Sequence, residues 1–404
     1  MNPKVLCFID YYLPGYKAGG PVRTIVNMVE LLGDDIEFLI VTRDRDFKAT
    51  QPYSTVNIDA WNRVGKAQVF YASSATLSFS GVMRLLKKTP HDVLYLNSFL
   101  SPWMTGLLLL IRRLGLYGKS PVILAPRGEF SAGALALKST KKQIYIALAK
   151  AAGLYRKLIW QASSEYEAED IRCVLSGVMT KIFIAPDLLS CSMEESARAD
   201  KHKRSGRESG PLRVIFLSRI SPMKNLDFLL RVLCKVNCRV QFSLFGPAED
   251  AMYWAICQNL IRVLPDNISV TYVGEVTPEQ VPQAFAENDV FIFPTRGENF
   301  GHVIFESLRA GTSVIVSDRT PWLADPNGAL EVLALERPDA WEAAITRWAC
   351  FNDHAYAAQR VAASNYARRY VETSQAVEQN RNLFQYALGR NNRQDPCAAS
   401  QGEK

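Results

Sequence analysis

A chain of 404 residues is too long for one ordinary domain and predicts two or three. Its 48% hydrophobic and 22% charged content is that of a globular protein, and its longest uncharged apolar stretch, residues 99–111, is too short to cross a bilayer. Forty-seven basic against forty acidic residues leave a net charge of +7; eight cysteines without a C-x-x-C pair read as reduced thiols, and four scattered histidines suggest no metal site.

In chain order, residues 4–9 form a short apolar strand, followed by the loop DYYLPGYKAGG and a helix over 21–32. Gly19 and Gly20 stand at the helix entrance, where the absence of a Cβ lets backbone approach a ligand, and Pro21 suits the first turn. A plain strand-to-helix turn is the alternative. Further strands are expected near 36–42, 68–71, 92–96, 121–125, 158–162 and 181–185, with helices between them, one over 99–111. Arg127 follows the fourth of these in the run APRGE. An arginine is always charged, so Arg127 suits electrostatic stabilisation rather than base catalysis; it faces either a phosphate or another anionic substrate group, or it only caps the strand end.

Residues 131–160 hold Lys138, Lys141, Lys142, Lys150, Arg156 and Lys157 without an acid. Leu137, Ile144, Leu148, Ala151 and Tyr155 recur at roughly helical spacing, so one face is expected to pack while the cations lie elsewhere on the surface. Such a patch either is simply solvated or receives an anionic membrane or a phosphate-bearing acceptor.

The polar segment 189–210 divides two α/β halves, 1–188 and 211–385. In the second, strands are expected near 212–218, 239–245, 268–273, 290–294 and 313–317, and strand–helix alternation argues for parallel sheets. Arg219 and Lys224 lie in the loop SRISPMKN beyond the first of these strands, where open α/β sheets bind ligands, and they would neutralise a diphosphate. Glu298 lies in the loop after residues 290–294, and Glu306, with seven residues between, is about two turns inside the next helix. Asn299, Phe300, Gly301 and His302 put consecutive backbone N–H groups at the helix start, which favours a phosphate. Two carboxylates with a phosphate seat suit a sugar nucleotide. His302 is the histidine beside this seat, whereas His91 and His354 read as structural or surface residues. Helices over 339–388 end the fold, and residues 389–404 read as a disordered tail.

The run GENFGHVIFESLRAGTSVIVSD resembles the E-x7-E region of the retaining glycosyltransferase family 4, and Arg219 and Lys224 fit the family pattern upstream of it. The resemblance spans about residues 3–320 and is strongest from 212 onwards. It implies a GT-B fold, an α/β class in which two Rossmann-like parallel-sheet domains, an acceptor-side one and a nucleotide-sugar-binding one, face each other across a cleft, with the last helix packing back on the first. It further implies that Glu298 contacts the donor sugar, that Glu306 holds the ribose, that Arg219 and Lys224 hold the departing diphosphate, and that the Gly19–Gly20 loop faces the donor. Many family members carry a histidine where this chain has Arg127. The implied partners are a UDP- or GDP-linked sugar and a glycan or polyprenyl-diphosphate-linked acceptor in surface polysaccharide assembly. No cofactor, catalytic metal or nucleic acid is expected, so the Asp44-Arg45-Asp46 likeness to a metal-binding D-x-D motif is set aside.

Residues 1–10 run directly into a core strand, so no secretory signal is read and a cytoplasmic location is expected, peripheral on the membrane's inner face if 131–160 docks there. A GT-B sugar-nucleotide epimerase and a non-catalytic sugar-nucleotide-binding scaffold remain alternatives. A nicotinamide oxidoreductase lacks its G-x-G-x-x-G fingerprint.

Overall fold

A computed structural model describes residues 2–136, 139–178, 181–189 and 210–389. Most of the expected linker over 189–210 and nearly all of the tail over 389–404 lie outside them. The chain divides into two compact units, Met1–Leu189 with Gln375–Lys404, and Ser190–Ser374.

In the first unit the strands are β1 (Lys4–Phe8), β2 (Glu37–Arg43), β3 (Trp61–Val64), β4 (Ala67–Ala72), β5 (Val93–Asn97), β6 (Val122–Ala125), β7 (Ile159–Ala162) and β8 (Lys181–Ile184). They form one sheet in the order β3-β4-β2-β1-β5-β6-β7-β8, parallel except for the β3–β4 hairpin. Its helices are α1 (Gly20–Leu32), α2 (Phe79–Lys88), α3 (Leu107–Arg113), α4 (Ala132–Ala136), α5 (Ser139–Ala151) and α6 (Glu165–Val174). Because helices cover both faces, the central strands are apolar throughout rather than alternating. Leu6, Phe8, Leu94 and Leu96 feed one core, and Val5, Cys7, Val93 and Tyr95 the other. Ser78 and Ser164 cap α2 and α6 by accepting the N–H three residues on. The helix expected over 99–111 begins later, as a π-helical turn over Pro102–Gly106 that leads into α3.

The second unit holds β9 (Leu212–Leu217), α7 (Leu226–Leu233), β10 (Val240–Phe245), α8 (Ala251–Arg262), β11 (Ile268–Gly274), α9 (Val281–Ala286), β12 (Val290–Phe293), α10 (His302–Arg309), β13 (Ser313–Ser317), β14 (Leu330–Leu333), α11 (Pro338–Ala349) and α12 (Asp353–Thr373). Its sheet runs β11-β10-β9-β12-β13-β14, all parallel. This is the doubly wound order whose direction reverses between its first and fourth strands, here β9 and β12. In open α/β sheets ligands bind beyond the carboxyl ends of the two strands that flank such a reversal.

The last helix, α13 (Ala376–Ala387), belongs to the first unit. Leu383 and Phe384 enter its core, with the Phe384 ring edge-on to Tyr95 and Phe38. Asn380 is fully buried and donates to the Pro186 carbonyl at 2.9 Å, while its side-chain oxygen accepts from Gln161 at 3.2 Å.

Candidate functional site

Apolar β9 ends at Leu217, and its loop continues through a single 3-10 turn, Pro222–Lys224, into α7. Apolar β12 ends at Phe293, and its loop carries residues 294–301 into α10. These are the two loops at the reversal point, and they are fastened together. The Met223 carbonyl accepts from the Arg296 N–H at 2.8 Å and from the Thr295 hydroxyl at 3.2 Å. Asn225, in the left-handed conformation at φ 60°, donates to the Pro294 carbonyl at 2.9 Å and accepts from the Arg296 guanidinium at 3.0 Å.

Across this seam the Lys224 ammonium pairs with the Glu298 carboxylate. Their side chains are only 11% and 15% exposed, and the ammonium lies 5.4 Å from the centre of the Phe293 ring. Two residues 74 positions apart, each picked out by its place after a strand, are thus in direct contact. Arg219 behaves differently: it remains on the exposed rim, 3.4 Å from Glu249.

At the start of α10, Gly301 takes φ 80° as the N-cap residue, a conformation that disfavours any Cβ-bearing residue. A Cβ there would also meet Ile304 at 2.9 Å and the Glu298 side chain at 3.5 Å. Asn299, His302 and Glu306 are partly buried. Because α10 starts at His302, Glu306 lies just over one turn inside it rather than two. The Phe300 side chain packs into the domain. It is buried against Trp322 and Tyr370, with the His302 ring edge-on at 5.0 Å, which leaves its backbone as the part available to a ligand.

Sequence reasoning missed Gly246, Asn225 and Trp322. Gly246 follows β10 at φ 122°, and a Cβ on it would lie 2.0 Å from the Ser218 carbonyl oxygen, so its bare backbone supports the loop that carries Arg219. The signal available was a glycine directly after an apolar strand, in the run FGP.

In the first unit Gly19 is the N-cap of α1 at φ 75°, with open space where a Cβ would project, while Gly20 begins the helix and its carbonyl accepts from Thr24 at 3.2 Å. Arg127 requires a correction. Its guanidinium is buried, bonded to Asp187 and the Tyr95 hydroxyl at 2.5 Å each and to Asn97 at 3.0 Å. The Arg127 and Asp187 side chains are 5% and 6% exposed. Burial opposes the charge, but Tyr95 and Asp187 more than offset it, and the Arg127 pKa is raised. The same burial pushes the neighbouring Cys7 thiol up to about 12. Arg127 therefore neutralises Asp187 inside the strand-end network rather than presenting a free cation to a phosphate. Two carboxylates brace the adjoining loops. Glu129 accepts from the Ser98 hydroxyl and the Phe99 and Leu100 amides, and Glu167 from the Gly128 and Ser163 amides; burial raises both carboxyl pKa values.

The basic segment is also turned differently from expectation. Ile146 and Ala149 pack inward on α5, while Ile144 and Leu148 are 54% and 65% exposed beside exposed Lys141. Packing follows Tyr145, whose ring meets Phe99 edge-on at 5.8 Å, and this sets the face that α5 buries. Lys142 and Lys150 donate to the carbonyls of Ala134, Val174 and Ser176.

Residues 211–349 match the family model described as glycosyl transferases group 1. The chain is similar to an uncharacterised 41.2 kDa protein in the cps region of Klebsiella pneumoniae, at 24% identity over 61% of this chain and 65% of that protein. The chain spans less than two thirds of the length of this and the next curated relative it matches. Its architecture is similar to HepE of Anabaena in complex with UDP and glucose (15% identity, 96% of this chain and 100% of that one, TM-score 0.66). It is similar as well to sucrose-phosphate synthase of Thermosynechococcus elongatus (16% identity, 96% and 100%, TM-score 0.69). These likenesses show the fold, which is of the GT-B class with two parallel-sheet α/β domains.

Proposed function

We propose that the protein, whose residues 211–349 match the glycosyl transferases group 1 model, is a retaining glycosyltransferase that moves a sugar from a nucleotide diphosphate donor to a glycan or lipid-linked acceptor. The observation that carries this reading is the Lys224–Glu298 contact at the reversal point of a doubly wound sheet, which puts a cation for phosphate and a carboxylate for hydroxyls side by side.

In this reading the bond between the anomeric carbon and the diphosphate breaks while the acceptor oxygen bonds to the same face, and the acceptor proton passes to the leaving phosphate. Negative charge grows on the diphosphate, so Lys224 and Arg219 stabilise the transition state more than the bound donor. Glu298 orients the sugar, and Glu306 holds the ribose. The Asn299–His302 backbone amides receive phosphate at the start of α10. Gly19 and Gly20 are the first unit's ligand-contacting loop. UDP is the first donor nucleotide to test and GDP the second, because HepE is described with UDP. No metal is assigned a role. The cps-region relative supports a role in surface polysaccharide assembly.

The exposed Lys141, Ile144 and Leu148 stripe on α5 supports docking on an anionic membrane, and no helix among the described residues is long and apolar enough to cross one. Flotation with anionic but not neutral liposomes is expected, and equal behaviour would contradict docking. Transfer itself is tested by incubating UDP-glucose or GDP-mannose with lipid-linked acceptors and reading the anomeric configuration of the product. An inverted linkage would contradict retention, and an altered sugar nucleotide without acceptor would contradict transfer.

A further inference from the structure

We infer that Trp322 is a positioning residue that holds the Glu298–Gly301 loop in its ligand-ready shape; the inference rests on the donor-site reading of that loop. Trp322 is 4% exposed, and its indole N–H donates to the Phe300 carbonyl at 2.5 Å. Its ring stacks on Tyr370 at 4.8 Å and 28° and meets Phe300 at 5.3 Å. A second tie lies one turn of chain away, where the Glu298 N–H donates to the Arg319 carbonyl at 3.1 Å. The segment 319–325 therefore grips both ends of the short loop that bears Glu298 and leads to the left-handed Gly301.

That segment is itself anchored to one face of α12. Tyr366 donates to the Leu323 carbonyl at 3.2 Å, Arg369 pairs with the buried Asp325 at 3.1 Å, and Tyr370 carries the Trp322 ring. The three α12 residues are spaced i, i+3 and i+4, so they share a face. Gly301, at φ 80°, has no side chain of its own to hold it, and the indole N–H bond to the preceding carbonyl fixes the peptide that leads into it. The bond orients the Phe300–Gly301 peptide, and with it the amides that follow and the approach of Glu298 to Lys224.

The test compares wild type with Trp322→Phe, which keeps a ring against Tyr370 but lacks the N–H, and with Tyr366→Phe, which loosens segment 319–325 and leaves Trp322 intact. Hydrogen exchange of residues 297–303 without ligand is expected to rise in both, more in Trp322→Phe, while β9 and β12 stay protected. UDP affinity is expected to fall about 3- to 10-fold in Trp322→Phe, the effect of one lost hydrogen bond. In protein with 15N-labelled tryptophan, the indole resonance that disappears in Trp322→Phe is expected to shift in wild type when UDP is added. Unchanged exchange in 297–303, or raised exchange with UDP affinity and the indole resonance unmoved, would overturn the positioning role. Raised exchange in a protein whose wild type binds no UDP, GDP or ADP would support the loop brace and overturn the donor reading instead. Should Trp322→Phe not fold, unchanged exchange in Tyr366→Phe would be the overturning result.

Discussion

Replacing Lys224 with Met removes the ammonium and leaves the Glu298 carboxylate, 15% exposed, without its ion-pair partner. Breaking a fully buried pair by deleting one partner costs about 3–5 kcal/mol, and an exposed pair is worth less than about 1 kcal/mol. At the observed burial the expected loss of stability is about 2–3 kcal/mol. Glu298→Gln should cost less, because the amide oxygen still accepts from Lys224. In the double variant Lys224→Met/Glu298→Gln, much of the Lys224→Met penalty should disappear, because no buried carboxylate is stranded. A double-mutant cycle from urea unfolding of the four proteins measures this coupling, expected at about 1–2 kcal/mol. The same substitution removes a charged hydrogen bond to the donor diphosphate, worth about 1.5–3 kcal/mol, which corresponds to roughly a 10- to 150-fold weaker UDP complex. Additive single effects together with unchanged nucleotide affinity would refute both the pairing and its role.

Arg127→Met should destabilise the first unit by about 3–5 kcal/mol by stranding buried Asp187, with partial recovery in Arg127→Met/Asp187→Asn and unchanged UDP affinity; retained stability in denaturant unfolding with lost nucleotide binding would restore the phosphate-facing reading. Gly246→Ala combines a positive φ with a Cβ placed 2.0 Å from the Ser218 carbonyl oxygen, so a loss on the order of 3 kcal/mol is expected by denaturant unfolding, together with weaker UDP binding through the displaced Arg219 loop. His91 is held neutral by burial, its pKa lowered from 6.5, with its ring nitrogens at 2.7 Å from the Thr89 carbonyl and 2.8 Å from the Tyr117 hydroxyl. The unfolded chain therefore binds the proton more readily. Stability from this group is complete above pH 6.5 and is lost as pH falls through the lower folded value, and His91→Gln should flatten the melting-temperature profile between pH 7.5 and 5.5 relative to wild type.

The parallel strands were legible because both their faces are buried: runs such as VFIF and SVIVS need only be apolar and short, and they fall where expected. The edges were not. Trp61–Val64 alternates between exposed and half-buried positions and pairs antiparallel with β4 around Gly65-Lys66, so its signal was the two-residue hairpin turn, with Gly65 at φ 56°, rather than hydrophobicity. Leu330–Leu333 is too short to stand out, although it completes the second sheet. Within the site, Lys224 and Glu298 were found because each follows a strand in a recognisable pattern, while their contact depends on strand order. Arg127 was misread for the converse reason. Its partner Asp187 lies 60 residues downstream, and local sequence cannot say whether a strand-end cation points outward or into its own domain. The face of α5 was misassigned because helical spacing offers two overlapping apolar stripes, and Tyr145 selects between them by its contact with Phe99.

The most direct test of a nucleotide-sugar site in the second unit is a thermal-shift titration of wild type and Glu306→Ala with UDP, GDP, ADP and UDP-glucose, because a ligand that binds only the folded state raises its melting temperature. A concentration-dependent rise with one nucleotide family, reduced in Glu306→Ala, is the expected result. No rise with any of them, or an equal rise in both proteins, would contradict the assignment of Glu306 and of the loop that precedes it.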